Sequence, residues 1–429
     1  MTDLLRKTIA QNRAGQAVAL PSVCSAHPDV LTASLLLARD HNRPLIIEAT
    51  SNQVNQDGGY VRMRPADFVK FVNNIAENTG FDRSQIIFGG DHLGPQVWRA
   101  QPADQAMAKA EVLVADYVRA GFTKIHLDCS EGCAGEPAQV DDATSAARAA
   151  QLAAICEAAA PDASALSYMV GTEVPPPGGA RVDEDDTITP TSPASATATL
   201  RAHFDAFDQA GVAAAKSRIA ALVVQPGVEF SPTEVHHLPA NPGTVLKDAL
   251  VPYDGVCFEA HSTDYQRTSA YPAMAHMGFA IHKVGPALTF AYRQAVYALD
   301  ALRQTVHGPS ASLPDTMETL MLANPANWQG HYHGTDDAMR LLRHYSYADR
   351  IRYYWAQPAA QAAIAALITD IDANQIPAPV WMQYFCPETE SRAANLRAIG
   401  YSPANSRILA SIQSALSPYF FDSIAAGTK

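Results

Sequence analysis

In the stretch IIFGGDHLGP, Asp91 and His92 stand side by side after a short apolar run and two glycines. A carboxylate next to an imidazole either caps a turn or supplies a proton acceptor beside a metal ligand. On a strand end the two side chains would face opposite ways, and only a turn brings both into one pocket. Gly89, Gly90 and Gly94 permit such a turn, because glycine tolerates backbone angles that other residues avoid. Asp91 then serves as acid–base group, or instead orients the histidine. His261 and Glu173 also follow apolar runs, and with His92 they form a set of two imidazoles and one carboxylate. That set is common around a catalytic divalent ion with an open position, although each residue alone could equally bond a neighbouring loop. Lys283, in HKVGPALT, is open to two uses: a Schiff base with a carbonyl substrate, or a cation that joins the following helix start in an anion site. In KIHLDCS, His126 and Asp128 share one strand face, so either can simply fill interior layers.

The elements that must position these residues are visible as short Val- and Ile-rich runs near 16–23, 44–50, 85–91, 123–129, 165–173, 219–227, 255–261 and 279–285. Ala-rich helical patterns separate them, near 29–42, 65–79, 103–120, 138–160, 195–215, 243–250, 264–276 and 286–305. Eight β-α units over about 305 residues predict an α/β fold, a (β/α)8 TIM barrel, over a doubly wound sheet. The first strand-to-helix turn, PSVCSAHPD, lacks the Gly-rich fingerprint that the rival fold requires. Barrel enzymes build their sites at the C-terminal strand ends, and here those ends gather Ser22, Cys24, Glu48, Ser51, Asn52, Asp91, His92, His126, Asp128, Glu173, Gln225, Glu259, His261, His282 and Lys283. Burying so many polar groups separately would cost several kcal/mol each, so a shared pocket is expected. In that pocket Asp91, Glu48 and Lys283 are the expected catalytic groups, and Ser51, Asn52, Asp128, Gln225 and Asp264 the substrate-binding ones. His92, Glu173 and His261 would hold a divalent metal, with Zn the expected ion.

Composition narrows the partners. Lys and Arg total 31 against 43 Asp and Glu, a net charge of -12, so no broad basic surface exists for nucleic acid or anionic lipid. The start, MTDLLRKTIAQNRAG, lacks the apolar core of a signal peptide, and no apolar run nears membrane-spanning length; a soluble cytoplasmic protein is expected. Six scattered cysteines argue against a disulfide framework, and the Cys129–Cys133 gap, with no second pair, argues against structural zinc. After the fifth strand the Pro- and acid-rich PPPGGARVDEDDTITPTSP is long enough for a lid or a solvated excursion, with Asp183 to Asp186 as solvated charge. Residues 306–429 turn helical and aromatic, which predicts an extension packed on a barrel domain of residues 1–305, or on a partner. Arg340, Arg343, Arg350 and Arg352 read as a solvated face that could alternatively reach a phosphate, and Tyr347 and Trp355 as packing.

The motifs GGDHLGP, GTEVPPPGG, EAHSTDYQ and HKVGP, with the later HYHG and SYADRIRYYW, resemble the GatZ/KbaZ family of tagatose-bisphosphate aldolase subunits over nearly the whole chain. The resemblance implies a TIM barrel and, as its main functional expectation, a non-catalytic, chaperone-like partner for a class II aldolase catalytic subunit. The alternative is an enzyme in its own right, a divalent-metal-dependent aldolase or 4-epimerase acting on a ketohexose or its phosphate; some relatives carry the 4-epimerase description. Retro-aldol cleavage with recapture of the aldehyde on its other face inverts C4, so one pocket serves either outcome. In catalytic class II aldolases an Asp-His pair at a strand end supplies proton donor and zinc ligand. Asp91-His92 looks similar and His261 is a candidate match, whereas Glu173 departs from the all-histidine set. The older label, tagatose-6-phosphate kinase, ranks last, because the chain has neither GxxxxGK[ST] nor a GxGxxG over a strand pair. Expected partners are thus a small sugar or sugar phosphate, an aldolase subunit and further copies of the chain.

Overall fold

A computed structural model describes residues 2–172, 188–309 and 311–421. Ten strands run through them: β1 Leu20–Cys24, β2 Leu45–Thr50, β3 Ile86–Leu93, β4 Lys124–Leu127, β5 Ser167–Val170, β6 Ile219–Val223, β7 Glu229–Phe230, β8 Val235–His236, β9 Cys257–Ala260 and β10 Phe279–Val284. β7 and β8 form a small antiparallel pair after the sixth barrel strand. The other eight are parallel and close into a barrel when β1 pairs with β10, which gives the TIM barrel expected from the β-α alternation. Except for β3, the barrel strands are shorter than their apolar runs, because residues past the last barrel hydrogen bond turn into the loops that build the mouth. The segment 243–250 is a 3-10 turn, Val245–Leu250, and the next helix shortens to Ala270–His276.

Side chains alternate in and out along each strand, so the interior is layered. Leu20, Ile46, Ile87, Met169, Ala221, Cys257 and Ile281 form an apolar lower layer. A helix the periodicity did not predict, Thr2–Arg13, contributes Leu5 and Ile9 to that layer and seals the lower end of the barrel. Its last turn is anchored by Asn12, whose amide donates to the carbonyls of Val18 and Ala275. The layer above is charged, and every ionisable group there comes from a strand.

The last barrel helix is Pro286–His307, and helices from Leu313 onward pack over it. Helix Pro403–Leu416 lies against both Pro286–His307 and Pro28–Asp40. The solvated-face expectation fails for Arg343 and Arg350, which are buried. Arg343 pairs with Glu318 and lies 4.7 Å from the Trp328 ring, and the Arg350 Nε donates to the carbonyl of Asn327. A helical spacing of arginines does not reveal that neighbouring helices will cover them; only Arg340 of the set is exposed. Among the described residues, no helix is long and apolar enough to cross a membrane. The anticipated lid falls largely on residues 173–187, outside the described residues.

Candidate active site

The charged layer is a connected set. Lys124, fully buried, pairs with Glu48 and lies 2.7 Å from Glu259 Oε2. Lys283 pairs with Asp91 and lies 3.2 Å from Glu48 and 3.3 Å from Glu259. Gly89 makes room for this: a Cβ there would sit 2.7 Å from Glu48 Cγ. Burial would drive the Lys283 ammonium toward neutrality, but the carboxylates of Asp91, Glu48 and Glu259 outweigh it and hold its pKa well above the usual lysine range. A Schiff base needs the neutral amine, so this environment disfavours it, and three carboxylates already balance the charge that an anion would seek. Burial likewise would raise the Asp91 carboxyl, yet the charges of His92 and Lys283 hold it well below the carboxylate range. Thr50 completes the Asp91 environment, its hydroxyl donating to Oδ2 at 2.7 Å.

Both members of the Asp91-His92 pair enter the pocket, but the glycines do not supply the turn. His92 itself takes the left-handed conformation, with φ +47°. Between Gly90 and Leu93 the register against β4 slips, a bulge that turns consecutive side chains to one side. Gly94 is required for space: a Cβ there would lie 1.7 Å from the carbonyl oxygen of Asp128. Asp128, expected to bind substrate, instead holds His92, its Oδ2 2.6 Å from Nδ1, while Ser130 donates to its Oδ1. The orienting role weighed for Asp91 thus falls to Asp128.

Three imidazoles converge here. The rings of His92, His126 and His261 lie 5.0 to 5.3 Å apart, centroid to centroid. Glu259 Oε1 lies 2.9 Å from His261 Nε2, so carboxylates orient two of the three rings, an arrangement usual around metal-binding histidines. Two compact groups of donor atoms, Asp91–His92–His126 and His126–Glu259–His261, share His126. The Nε2 of His126 is buried with no partner, which a divalent ion would satisfy. The donor set therefore fits a divalent metal. Glu173, the carboxylate expected in that role, lies outside the described residues. His126, which its strand face left open as interior filling, instead stands among the candidate metal ligands; its place among the strand-end residues was the signal available.

The remaining expected residues separate. Asn52 and Asp264 line the mouth cavity of about 270 Å³ that Asp91, His92, His261 and Lys283 also line. Asp264 Oδ1 accepts from the amides of Gly285 and Ala287, capping the last barrel helix, and burial pushes its pKa up to about 6. Ser51 is buried and lies outside the lining of that cavity. Gln225 also lies outside the lining, and its side-chain oxygen accepts from the amides of Gly227 and Val228 to shape the loop after β6. His282, next to Lys283, points outward between strand and helices, where burial lowers its pKa to about 3.

Fold and donor set together define a (β/α)8 barrel with a metal-capable cavity at its C-terminal mouth. The chain belongs to the family described as D-tagatose-1,6-bisphosphate aldolase subunit GatZ/KbaZ-like, which matches residues 5–423. It is 49% identical over 388 residues to the D-tagatose 6-phosphate 4-epimerase of Agrobacterium fabrum (strain C58), covering 90% of this chain and 91% of that one. It also resembles the crystal structure of a probable tagatose 6 phosphate kinase from Sinorhizobium meliloti 1021, with 44% identity, TM-score 0.84, and coverage of 94% of this chain and 99% of that one.

Proposed function

We propose that the chain is an enzyme, a divalent-metal-dependent 4-epimerase of a ketohexose 6-phosphate, with D-tagatose 6-phosphate as substrate. What supports the enzyme reading is that His92, His261, Asp91 and Lys283 line one cavity with the buried His126 ring about 5 Å from both other imidazoles; an accessory subunit has no need of it. The name of the Agrobacterium relative supports the substrate and favours this reading over the accessory one that the family resemblance put first.

His92, His126 and His261 would hold the ion, which when bound supplies Lewis-acid polarisation of the substrate's oxygens. Asp91, kept ionised by its neighbours, takes the proton from the C4 hydroxyl. The C3–C4 bond then breaks, its electron pair moving toward the C2 carbonyl, to leave a three-carbon enediolate and glyceraldehyde 3-phosphate. As Asp91 takes the proton it no longer neutralises Lys283, which is then the ammonium facing that negative charge. Rotation of the aldehyde presents its other face, C3 re-adds, and Asp91 returns the proton to O4, giving D-fructose 6-phosphate. Glu48, Lys124 and Glu259 hold Lys283 and His261 in place from below.

The test is incubation of the purified chain with D-tagatose 6-phosphate after chelation and after re-addition of Zn²⁺ or Mn²⁺, following D-fructose 6-phosphate. Conversion should need the ion and fall by about 100-fold or more in Asp91→Asn, the scale typical of a proton-transfer group. A second reading, the accessory subunit, is favoured by the family's description. It would take over if no ion gave turnover and the chain instead stimulated an added class II aldolase catalytic subunit.

A further inference from the structure

The charges around Lys283 leave open where a substrate phosphate could be received, and the cavity offers a second place. Its wall includes Arg352 and Trp355, both from the helical extension, and His27, which precedes the first barrel helix. Among the described residues Arg352 makes no ion pair. Its guanidinium donates from Nη1 to the carbonyls of Ala348 and Asp349 and from Nη2 to the Tyr353 hydroxyl, leaving donors on Nε and Nη2. Trp355 is 1% exposed, and its Nε1, a donor only, has no acceptor. The His27 Nδ1 accepts from the amide of Asp29 at 3.3 Å, so the neutral ring carries its proton on Nε2, which also has no partner. The two rings flank Tyr292, at 4.1 Å for His27 and 5.4 Å for Trp355. A cation in a cavity wall with no carboxylate partner and with guanidinium donors to spare, beside two residues that carry unmet donors, describes a receiver for an anion.

The turn bearing Arg352 is held firmly. Asp349, at φ +44°, pairs with Arg293 of the last barrel helix at 3.0 Å, both side chains buried. Asp264 lines the same cavity, but its Oδ1 is committed to backbone amides.

We infer that Arg352, in a wall shared with Trp355 and His27, binds the phosphate of the substrate, so that the extension sets specificity for phosphorylated over free ketoses. This rests on the epimerase reading for the identity of the sugar, but not for the binding of phosphate itself. Two measurements keep them apart. Inorganic phosphate should protect the wild-type chain against thermal unfolding and should protect Arg352→Gln at least 10-fold less well at equal concentration. In turnover of D-tagatose 6-phosphate, Arg352→Gln should raise KM about 10- to 100-fold with kcat within about 3-fold, and Arg352→Lys should recover part of the loss. Equal phosphate protection of wild type and Arg352→Gln, or none of the wild type, overturns the inference even if epimerisation is found. Failure of epimerisation with Arg352-dependent phosphate protection overturns the epimerase reading and leaves the anion site standing.

Discussion

At the scale of single residues, the energetics of the site turn on Lys124 as much as on the groups that face substrate. It does not line the mouth cavity, yet it is the cation between Glu48 and Glu259, and without it these two buried carboxylates are left with Lys283 as the lysine they share. Removing one partner of a buried ionic group is typically destabilising by about 3–5 kcal/mol, because the remaining charge is uncompensated. Lys124→Met should therefore lower stability by that amount in denaturant unfolding, whereas a surface ion pair such as Arg83–Glu77 should be worth about 0–1 kcal/mol. His282 makes a pH prediction of definite sign. Its pKa falls from 6.5 to about 3 because the buried ring is kept neutral. Below pH 6.5 the unfolded chain takes up a proton that the folded chain refuses, so this contribution to stability is complete above 6.5 and is lost progressively toward pH 3. Between pH 7.5 and 5.5, His282→Leu should gain about 1.4 kcal/mol relative to wild type, measured as the difference between the two unfolding free energies. An unchanged difference would mean that the ring is solvated.

At the scale of elements, the end of β3 decides the site. The bulge between Gly90 and Leu93, with His92 in the left-handed region, aims two consecutive side chains into the mouth. Gly94 then lets the chain pass against the Asp128 carbonyl, which keeps Asp128 within reach of His92. In Gly94→Ala one of two backbones must move, with an expected loss of about 1–3 kcal/mol or more. Activity should fall further than stability alone explains, because His92 loses its orienting carboxylate. Gly330→Ala, where a Cβ meets nothing within 4 Å, is the matched control and should stay within about 0.5 kcal/mol of wild type. Thermal melts of both, alongside the turnover assay, check the pair.

At the scale of the whole molecule, the barrel is sealed below by helix Thr2–Arg13 and, among the described residues, its mouth cavity is walled in part by the extension. A ligand that binds only the folded form stabilises it by mass action, about 2.7 kcal/mol at 100 times its dissociation constant. Adding Zn²⁺ or Mn²⁺ to the chelated chain should consequently raise the melting temperature. His126→Ala should abolish that rise, and an equal rise in the variant would place the ion elsewhere.

By itself the sequence determined the barrel and the candidates at its mouth, since both are written in short-range patterns: an apolar run every few tens of residues, most of them ending in an ionisable group. Glu48, Asp91, His261 and Lys283 could be singled out for that reason. Lys124 could not, because a lysine opening a short strand looks like any solvated lysine, and His126 looked like filling. Only the tertiary structure decided that His126 stands between His92 and His261, that Asp128 rather than Asp91 orients His92, and that Gln225 shapes a loop. It alone brought Arg352 and Trp355 to a cavity also lined by residues such as Cys24 and His27 from the first strand and the turn after it. The reason is physical: periodicity reports which face of an element is buried, whereas the partner across that face is fixed by closure of β1 on β10 and by the packing of distant helices, and neither leaves a local trace.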